Sequence, residues 1–496
     1  MTSELETTEN RDNLTRVVIE PVTRVEGHGK VTLLLDDQNQ IRQARLHIVE
    51  FRGFEKFIQG RPYWEVPVLV QRLCGICPVS HQLAGGKAVD MLVGASQLTP
   101  TAEKIRRLMH LGQTLQSHAT HFFHLASPDL LFGYDDEVAH RNIIGVIADR
   151  PNVALQGVKL RKYGQEVIRV CSGKRVHGTC AIPGGVNKSL SISERDELLA
   201  DVDQMIAWAG EGVRLIRNIY EASRNYYENF GLIRSNFMAL TRPDGALELY
   251  HGGLRLTDAQ GQVLFDHLDY VDYEQYIQEQ VKPWTYMKFP FIRSLGPDDG
   301  WYRVGPLARV NACDFIDTPL AEAERVAFKA LAGAEPMHGA LAYHWARMIE
   351  VLHCAEAIKV LLHDPDVLGQ ELRTTGTLQS EGVGVIEAPR GTLFHHYRID
   401  EQGLVTKANL IVSTTNNNQA MNESVRQVAS RYLNGRELTE PLLNQIEVVI
   451  RAYDPCLSCA THALGRMPLK VELVQADGTV VDALSKSSTG DIARMV

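Results

Sequence analysis

Two short segments carry the residue pairs with the clearest chemistry. "RLCGICPVSH", positions 72 to 81, sets Cys74 and Cys77 three residues apart, and "YDPCLSCATH", positions 453 to 462, repeats the spacing with Cys456 and Cys459. One tight turn of backbone aims both sulfurs of such a pair at one metal, and two pairs supply four thiolates. The plain reading is a four-cysteine structural zinc site, but its pairs usually stand about 15 to 20 residues apart. Here Cys456 follows Cys77 by 379 positions. Soft thiolates also suit nickel and iron, so ligand type alone leaves the metal open. The remaining cysteines, Cys171, Cys180, Cys313 and Cys354, share no short spacing and are expected as core thiols, free cysteine being among the most buried residue types.

Sulfurs from opposite ends of the chain can meet only inside a large folded body. After a polar lead-in, "RVVIE", "KVTLLLDD" and "IRQARLHIVE" read as short antiparallel strands, with "DDQNQ" turning between the second and third. The pattern then becomes helical, with long amphipathic stretches near 100–125, 137–171 and 192–229. In "HGALAYHWARMIEVLHCAEAIKVLLHDP", Leu341, Trp345, Met348, Leu352, Ala355, Ile358 and Leu362 recur at steps of three and four and mark one buried face, which Asp364-Pro365 closes. Strands return around 381–412, and two strand-like runs flank Ala476-Asp477-Gly478 near the end. The expected fold class is α+β and predominantly helical, a helical bundle with a small antiparallel N-terminal sheet. No internal repeat or low-complexity linker marks a boundary within it.

Composition excludes several functions. At 496 residues, 44% hydrophobic and 22% charged, the chain reads as an ordinary globular protein with ample material for a core. A formal charge of -9, with scattered lysines and arginines, argues against nucleic acid as a partner. "MTSELETTENRDNLT" has no apolar block, so neither a secretory nor a transit signal is expected. No run of 18 apolar residues occurs, so direct membrane insertion is not expected. The expected location is the cytoplasm, whose reducing conditions disfavour a disulfide framework. "GVGVIE" at 382 to 387 has glycines in the wrong context for a dinucleotide fold, because Pro389 interrupts any following helix. "SHATHFFH" spaces His118, His121 and His124 by three and reads as a cap or polar network rather than a metal site.

The two cysteine motifs, together with "PVTRVEGHG", "EFRGFEKF", "GPLARVN" and "EAPRGTLFHHY" in order along the chain, resemble the nickel-iron hydrogenase large subunit. The likeness runs from about residue 17 to about 485. "EFRGFEKF", "CGICPVSH" and "DPCLSCATHALGRMPL" are most similar to the cytoplasmic bidirectional, NAD-linked type. The resemblance implies a mobile lead-in over 1–15, a body over 16–462, and a maturation extension over 463–496 that is cut from the body between His462 and Ala463. The physical sense of such a tail is that it holds the last cysteine pair open until metal loading is finished. Dihydrogen is a very weak acid and a poor ligand, so splitting it takes an electrophilic metal and a nearby base. The resemblance implies a nickel held by Cys74, Cys77, Cys456 and Cys459, with Cys77 and Cys459 bridging to an iron that carries carbon monoxide and cyanide.

Terminal Cys456 is then the implied first proton acceptor, and Glu26 the carboxylate that passes the proton toward solvent. Arg390 in "EAPRG" matches an arginine over the open side of the metals. Guanidinium is essentially always protonated, so its role is electrostatic positioning. Asp129 and Asp454 match acids that hold Arg390 in place. Ser413 matches a hydroxyl that bonds a cyanide, although Val412 stands where many relatives have proline. His81 matches a histidine that bonds a bridging sulfur, and Glu55 and His462 match ligands of a magnesium ion. The histidine is unusual there, because magnesium prefers oxygen donors.

Too few clustered cysteines remain for an iron-sulfur cluster on this chain, so electrons are expected to leave through an iron-sulfur small subunit. Flavin and NAD are expected on other subunits of the complex and not on this chain. A maturation protease and nickel-insertion factors are further implied partners, with H2 and protons as substrates. The alternatives are a deazaflavin or NADP acceptor, a metal-free scaffold of the quinone-reductase kind, and a structural zinc protein. Retention of all four cysteines argues against the scaffold.

Overall fold

The computed structural model describes residues 15–38, 40–433, 439–461, 469–474, 480–486 and 492–494. Strands Thr15–Ile19, Gly29–Leu35 and Ile41–Ile48 pair antiparallel in chain order. Helix Asn418–Tyr432 packs on the last of them, and Leu46 N–H donates to Asn422 Oδ1 at 2.8 Å.

The body is the expected helical bundle. Helix Pro100–Thr120 starts where Thr99 caps Ala102 N–H and Pro100 takes the first helical position, and Pro151–Ser172 lies against it. Ile192–Ala222 opens with a capping box between Ser191 and Glu194. Ala342–His363 crosses both Pro100–Thr120 and Ile192–Ala222. The three amphipathic stretches are each broken where the backbone demands it. The first passes into a π-helix, His121–Ala126, and then Ser127–Phe132. The second divides into Ile143–Asp149 and Pro151–Ser172 because Arg150, the residue before a proline, is forced out of the helical region. The third breaks at Ser223 before Arg224–Asn229.

The expectation of one buried face on the 342–363 helix is too narrow. Every residue from Leu341 to Glu356 is buried, Arg347 and Glu350 included. The helix runs through the middle of the molecule, and its charged groups find partners inside it. A second difference lies between residues 230 and 305, where Tyr302–Arg303, Asn236–Thr241, Gly253–Thr257 and Val263–Leu268 form a four-stranded sheet in that order. Strands this short give almost no periodic signal in sequence.

Strands Glu381–Ala388, Gly391–Ile399 and Val405–Ile411 form an antiparallel meander. In the C-terminal segment, Leu469–Val474, Val480–Lys486 and Ile492–Arg494 make a sheet of their own, while the turn at Ala476-Asp477-Gly478 lies outside the described residues. All four motif cysteines belong to the largest hydrophobic cluster. Among the described residues, no helix is long and apolar enough to cross a membrane.

Candidate metal centre

The first cysteine pair sits at a break between helices. A 3-10 turn, Val70–Leu73, ends at Cys74, and helix Pro78–Leu92 begins with Cys77 as its N-cap and Pro78 after it. The amides of Ile76 and Cys77 both donate to Cys74 Sγ at 3.3 Å. That helix is pressed onto strand Glu381–Ala388 through two glycines. A Cβ on Gly382 would fall 2.1 Å from Ala88 O, and one on Gly384 would fall 2.1 Å from Ala84 O. "GVGVIE" therefore serves close backbone approach.

The second pair follows helix Glu440–Ala452. Asp454 turns the chain with φ +52°, a left-handed conformation that Asp tolerates better than most residues. Cys456 N–H then donates to Thr414 Oγ1 at 2.8 Å, and Leu457 N–H to Glu26 O at 2.9 Å. Gly27, at φ +82°, permits that second contact, since a Cβ there would stand 2.6 Å from Ser458 N. The loop between the first two strands thus ties down the C-terminal cysteine loop.

The four Sγ atoms lie within 4.8 Å of one another, with Cys74 to Cys456 at 3.0 Å and Cys456 to Cys459 at 3.1 Å. None of the four residues is more than 6% exposed. Hydrogen bonds from the other three thiols hold the Cys77 thiol well below its ordinary range, whereas burial pushes Cys456 and Cys459 well above it. Thiols sharing protons in a dry cluster are a donor set that a soft metal enters by displacing those protons. Nickel and iron fit it. Thr414 and Glu26 fix the loop of the second pair from within the body.

Arg390 stands over the cluster, its Nε donating to Asp454 O at 2.6 Å, its Nη2 to Asp454 Oδ1 at 3.0 Å and its Nη1 to Ser117 Oγ at 3.3 Å. Burial works against its charge, but Asp454 and the facing cysteines outweigh that and raise it well above the ordinary range. Burial also raises the Asp454 carboxyl, against the pull of Arg390 and Arg347. Asp129 does not hold Arg390. It accepts from Arg24 Nη2 at 2.7 Å and Arg451 Nη1 at 2.5 Å, because the short helix Ser127–Phe132 turns it toward helix Glu440–Ala452.

Glu26 is half-buried and accepts from the Ser458 hydroxyl beside the second pair. His81 lies against Cys77 and meets His395 at 3.1 Å. The Ser413 hydroxyl donates to Gly391 O at 2.6 Å, so a bond from it to a cyanide requires that proton to turn. Glu55 is buried, which raises its carboxyl, and it accepts from Leu410 N–H at 2.9 Å and from the Lys288 ammonium at 3.5 Å. His462 lies outside the described residues. The other four cysteines are free and buried, as expected.

Several residues of the site were assigned no role from the sequence. Arg309, within "GPLARVN", pairs with Glu350 at 2.6 Å and Glu387 at 2.8 Å, all fully buried, and it also bonds Ala388 O and Pro389 O. It thereby holds the two carbonyls that precede Arg390. His118 bonds Glu350 at 2.8 Å and His121 bonds Arg451 O at 2.6 Å, so the helix histidines do form a polar network. Thr414, Ser458 and Ser117 would pass in sequence as ordinary hydroxyls. Their partners come from segments 42, 432 and 273 residues away.

A largely helical body that closes four buried cysteine sulfurs around one point is the arrangement that the resemblance to a nickel-iron hydrogenase large subunit implies. The family model for nickel-dependent hydrogenase matches residues 52–132 and 248–462, and one described as HoxL-like matches 16–51. The chain belongs to that family. It is 50% identical over 482 residues to the NAD-reducing hydrogenase HoxS subunit beta of Cupriavidus necator, covering 94% of this chain and 99% of that one. To its counterpart in the F420-non-reducing hydrogenase of Methanothermobacter thermautotrophicus it is 41% identical over 476 residues, again 94% and 99% of the two. A crystal structure of a NAD+-reducing [NiFe]-hydrogenase in the H2-reduced state aligns with a TM-score of 0.89 and 54% identity, over 91% of this chain and 100% of that chain.

Proposed function

We propose that this chain is the hydrogen-activating subunit of a NAD-reducing nickel-iron hydrogenase, splitting H2 reversibly into two electrons and two protons. The observation that carries the reading is the closure of the two cysteine pairs, from opposite ends of the chain, into one buried four-sulfur cluster. Similarity to the Cupriavidus necator subunit supports the NAD linkage. When bound, the nickel-iron centre supplies the electrophile that polarises H2 and takes its electrons.

The chain's own residues do the rest. Cys456 Sγ takes the proton as H2 is pulled apart, the role that the likeness to the hydrogenase motifs gives it. Glu26 is one backbone bridge away and half-buried, and it receives the proton and releases it to solvent. Arg390 is a fixed positive charge, and its two bonds to Asp454 keep it aimed at the sulfurs. Burial of the four cysteines excludes bulk water from the reacting atoms.

Carbon monoxide and cyanide on the iron, with Ser413 turning to bond one cyanide, and magnesium held by Glu55 and His462 belong to the same proposal. So do the iron-sulfur small subunit that takes the electrons and the flavin- and NAD-binding subunits beyond it. A maturation protease that cuts after His462, nickel-insertion factors and a cytoplasmic location complete it. Metal analysis of the purified complex is expected to find nickel and iron in this subunit, infrared spectra the bands of iron-bound carbon monoxide and cyanide, and H2-driven turnover to reduce NAD rather than NADP or a deazaflavin. Zinc in place of nickel would overturn the reading.

A further inference from the structure

A lysine is buried on helix Pro78–Leu92 well away from the cysteines. Lys87 is 6% exposed and lies about 15 Å along the helix from Cys77, at the usual rise per residue. Its Nζ donates to Tyr250 O at 2.6 Å and to Val385 O at 2.7 Å. The same nitrogen faces the Tyr250 and Tyr270 rings, 5.1 and 4.9 Å from their centres. Among the described residues, Lys87 forms no ion pair.

The acids nearest to it are engaged elsewhere. Asp90 is held by Arg106 and by Gly184 N–H, Glu103 by Arg107 Nε at 2.6 Å and His251 Nε2 at 3.0 Å, and Glu248 by Arg107 Nη1 at 3.0 Å. An ammonium carries three protons, and the two carbonyls take two of them. Buried charges are normally paired. Here the carbonyls and ring faces compensate only in part, and burial brings Lys87 down to about 7. The lysine also lines a cavity of about 340 Å³, with Met91, Leu98, Tyr250, His251 and Tyr270 around it and exposed Ser96 and Gln97 at its rim.

We propose that this cavity binds a small monoanionic carboxylate, which sets its charge on the Lys87 ammonium and its body against Met91, Tyr250 and Tyr270. A single unpaired ammonium, with Asp90 and Glu103 in the same walls, suits one negative charge and repels a second. The apolar and aromatic lining suits a compact organic body rather than a bare inorganic ion. An anion beside Lys87 favours its charged form, so binding above about pH 7 takes up a proton. The other charged and titratable groups facing it, Asp90, Glu103, Glu248, Arg106, Arg107 and His251, are tied to one another or to the backbone by the bonds above. The site is separate from the four cysteines and independent of the hydrogenase reading.

The test is calorimetric titration of the intact complex with benzoate, with benzamide as its uncharged match and inorganic phosphate as the more highly charged anion. Expected are saturable binding of benzoate at millimolar concentration or below and none of benzamide or phosphate. The benzoate affinity should be level below about pH 7 and fall about tenfold per pH unit above it, as one proton is taken up. Lys87→Met keeps the stem but removes the amine, and it should abolish benzoate binding with nickel content unchanged. If that variant does not fold, wild-type crystals soaked in para-bromobenzoate decide the matter, through anomalous bromine signal inside this cavity. Absence of benzoate binding, equal binding of benzamide, preference for phosphate, an unchanged affinity in Lys87→Met, or bromine found only elsewhere would each rule the site out.

Discussion

In the proposed reaction, two charged residues divide the work at the cluster. Arg390 is pinned by two bonds to Asp454 and cannot act as a base, whereas Glu26 touches the second cysteine loop and still reaches solvent. Glu26→Gln keeps the shape and an acceptor for the Ser458 hydroxyl but removes the titratable group. H2 oxidation and hydrogen isotope exchange should fall by about 100-fold or more, the usual share of a general acid-base, with nickel content unchanged by metal analysis. Wild-type exchange rates in that variant would move the proton route elsewhere. At Arg390 a lysine would keep the charge but lose the forked geometry that engages both Asp454 O and Oδ1. Turnover should therefore drop in Arg390→Lys while the infrared bands of the metal ligands persist.

Element packing sets where the sulfurs lie. Helix Pro78–Leu92 carries Cys77 at its head, and its distance from strand Glu381–Ala388 is set by Gly382 and Gly384. In Gly384→Ala the new methyl would sit 2.1 Å from Ala84 O and 2.6 Å from Ala88 N, so the helix must shift. Overpacking of this kind costs about 1 to 3 kcal/mol. Denaturant unfolding should register that loss, and nickel should dissociate faster from the purified subunit. A variant with wild-type stability would mean that the sheet yields instead. The Arg309, Glu350 and Glu387 cluster acts on the opposite wall, where Arg309 fixes the carbonyls ahead of Arg390. Removing one member of a fully buried ion pair leaves an uncompensated charge, at about 3 to 5 kcal/mol.

For the whole molecule, buried histidines set the response to acid. Burial pushes His110 and His118 down to about 4 and His47 to about 3, so all three are neutral in the folded chain at working pH. An unfolded chain binds those protons near the ordinary value of about 6.5 and so holds more of them than the folded chain at lower pH. Stability should be full above about pH 6.5 and decline as the pH falls toward the folded values near 4. Burial works to raise Glu350, but Arg309 and His118 bring it down to about 2, so its contribution is lost only below the ordinary carboxylate range. Thermal midpoints measured from pH 8 to 4 check the trend.

That the two cysteine pairs belong to one cluster was legible in the sequence, because CxxC spacing is a local property and two such pairs suggest one another. The helical body, the first sheet and the 381–412 strands were equally legible from apolar periodicity. The sheet between residues 236 and 303 was not, since its short strands are fixed by neighbours distant in sequence. Nor were the partners of Asp129, the buried charges of the 342–363 helix or the roles of Thr414 and Ser458. A side chain's hydrogen-bond partner depends on which segments fold against it, and no pattern along the chain records that. Tertiary structure alone decided how the sulfurs are held, because the constraints on them come from Glu26, Thr414 and Gly384, residues that neither cysteine motif contains.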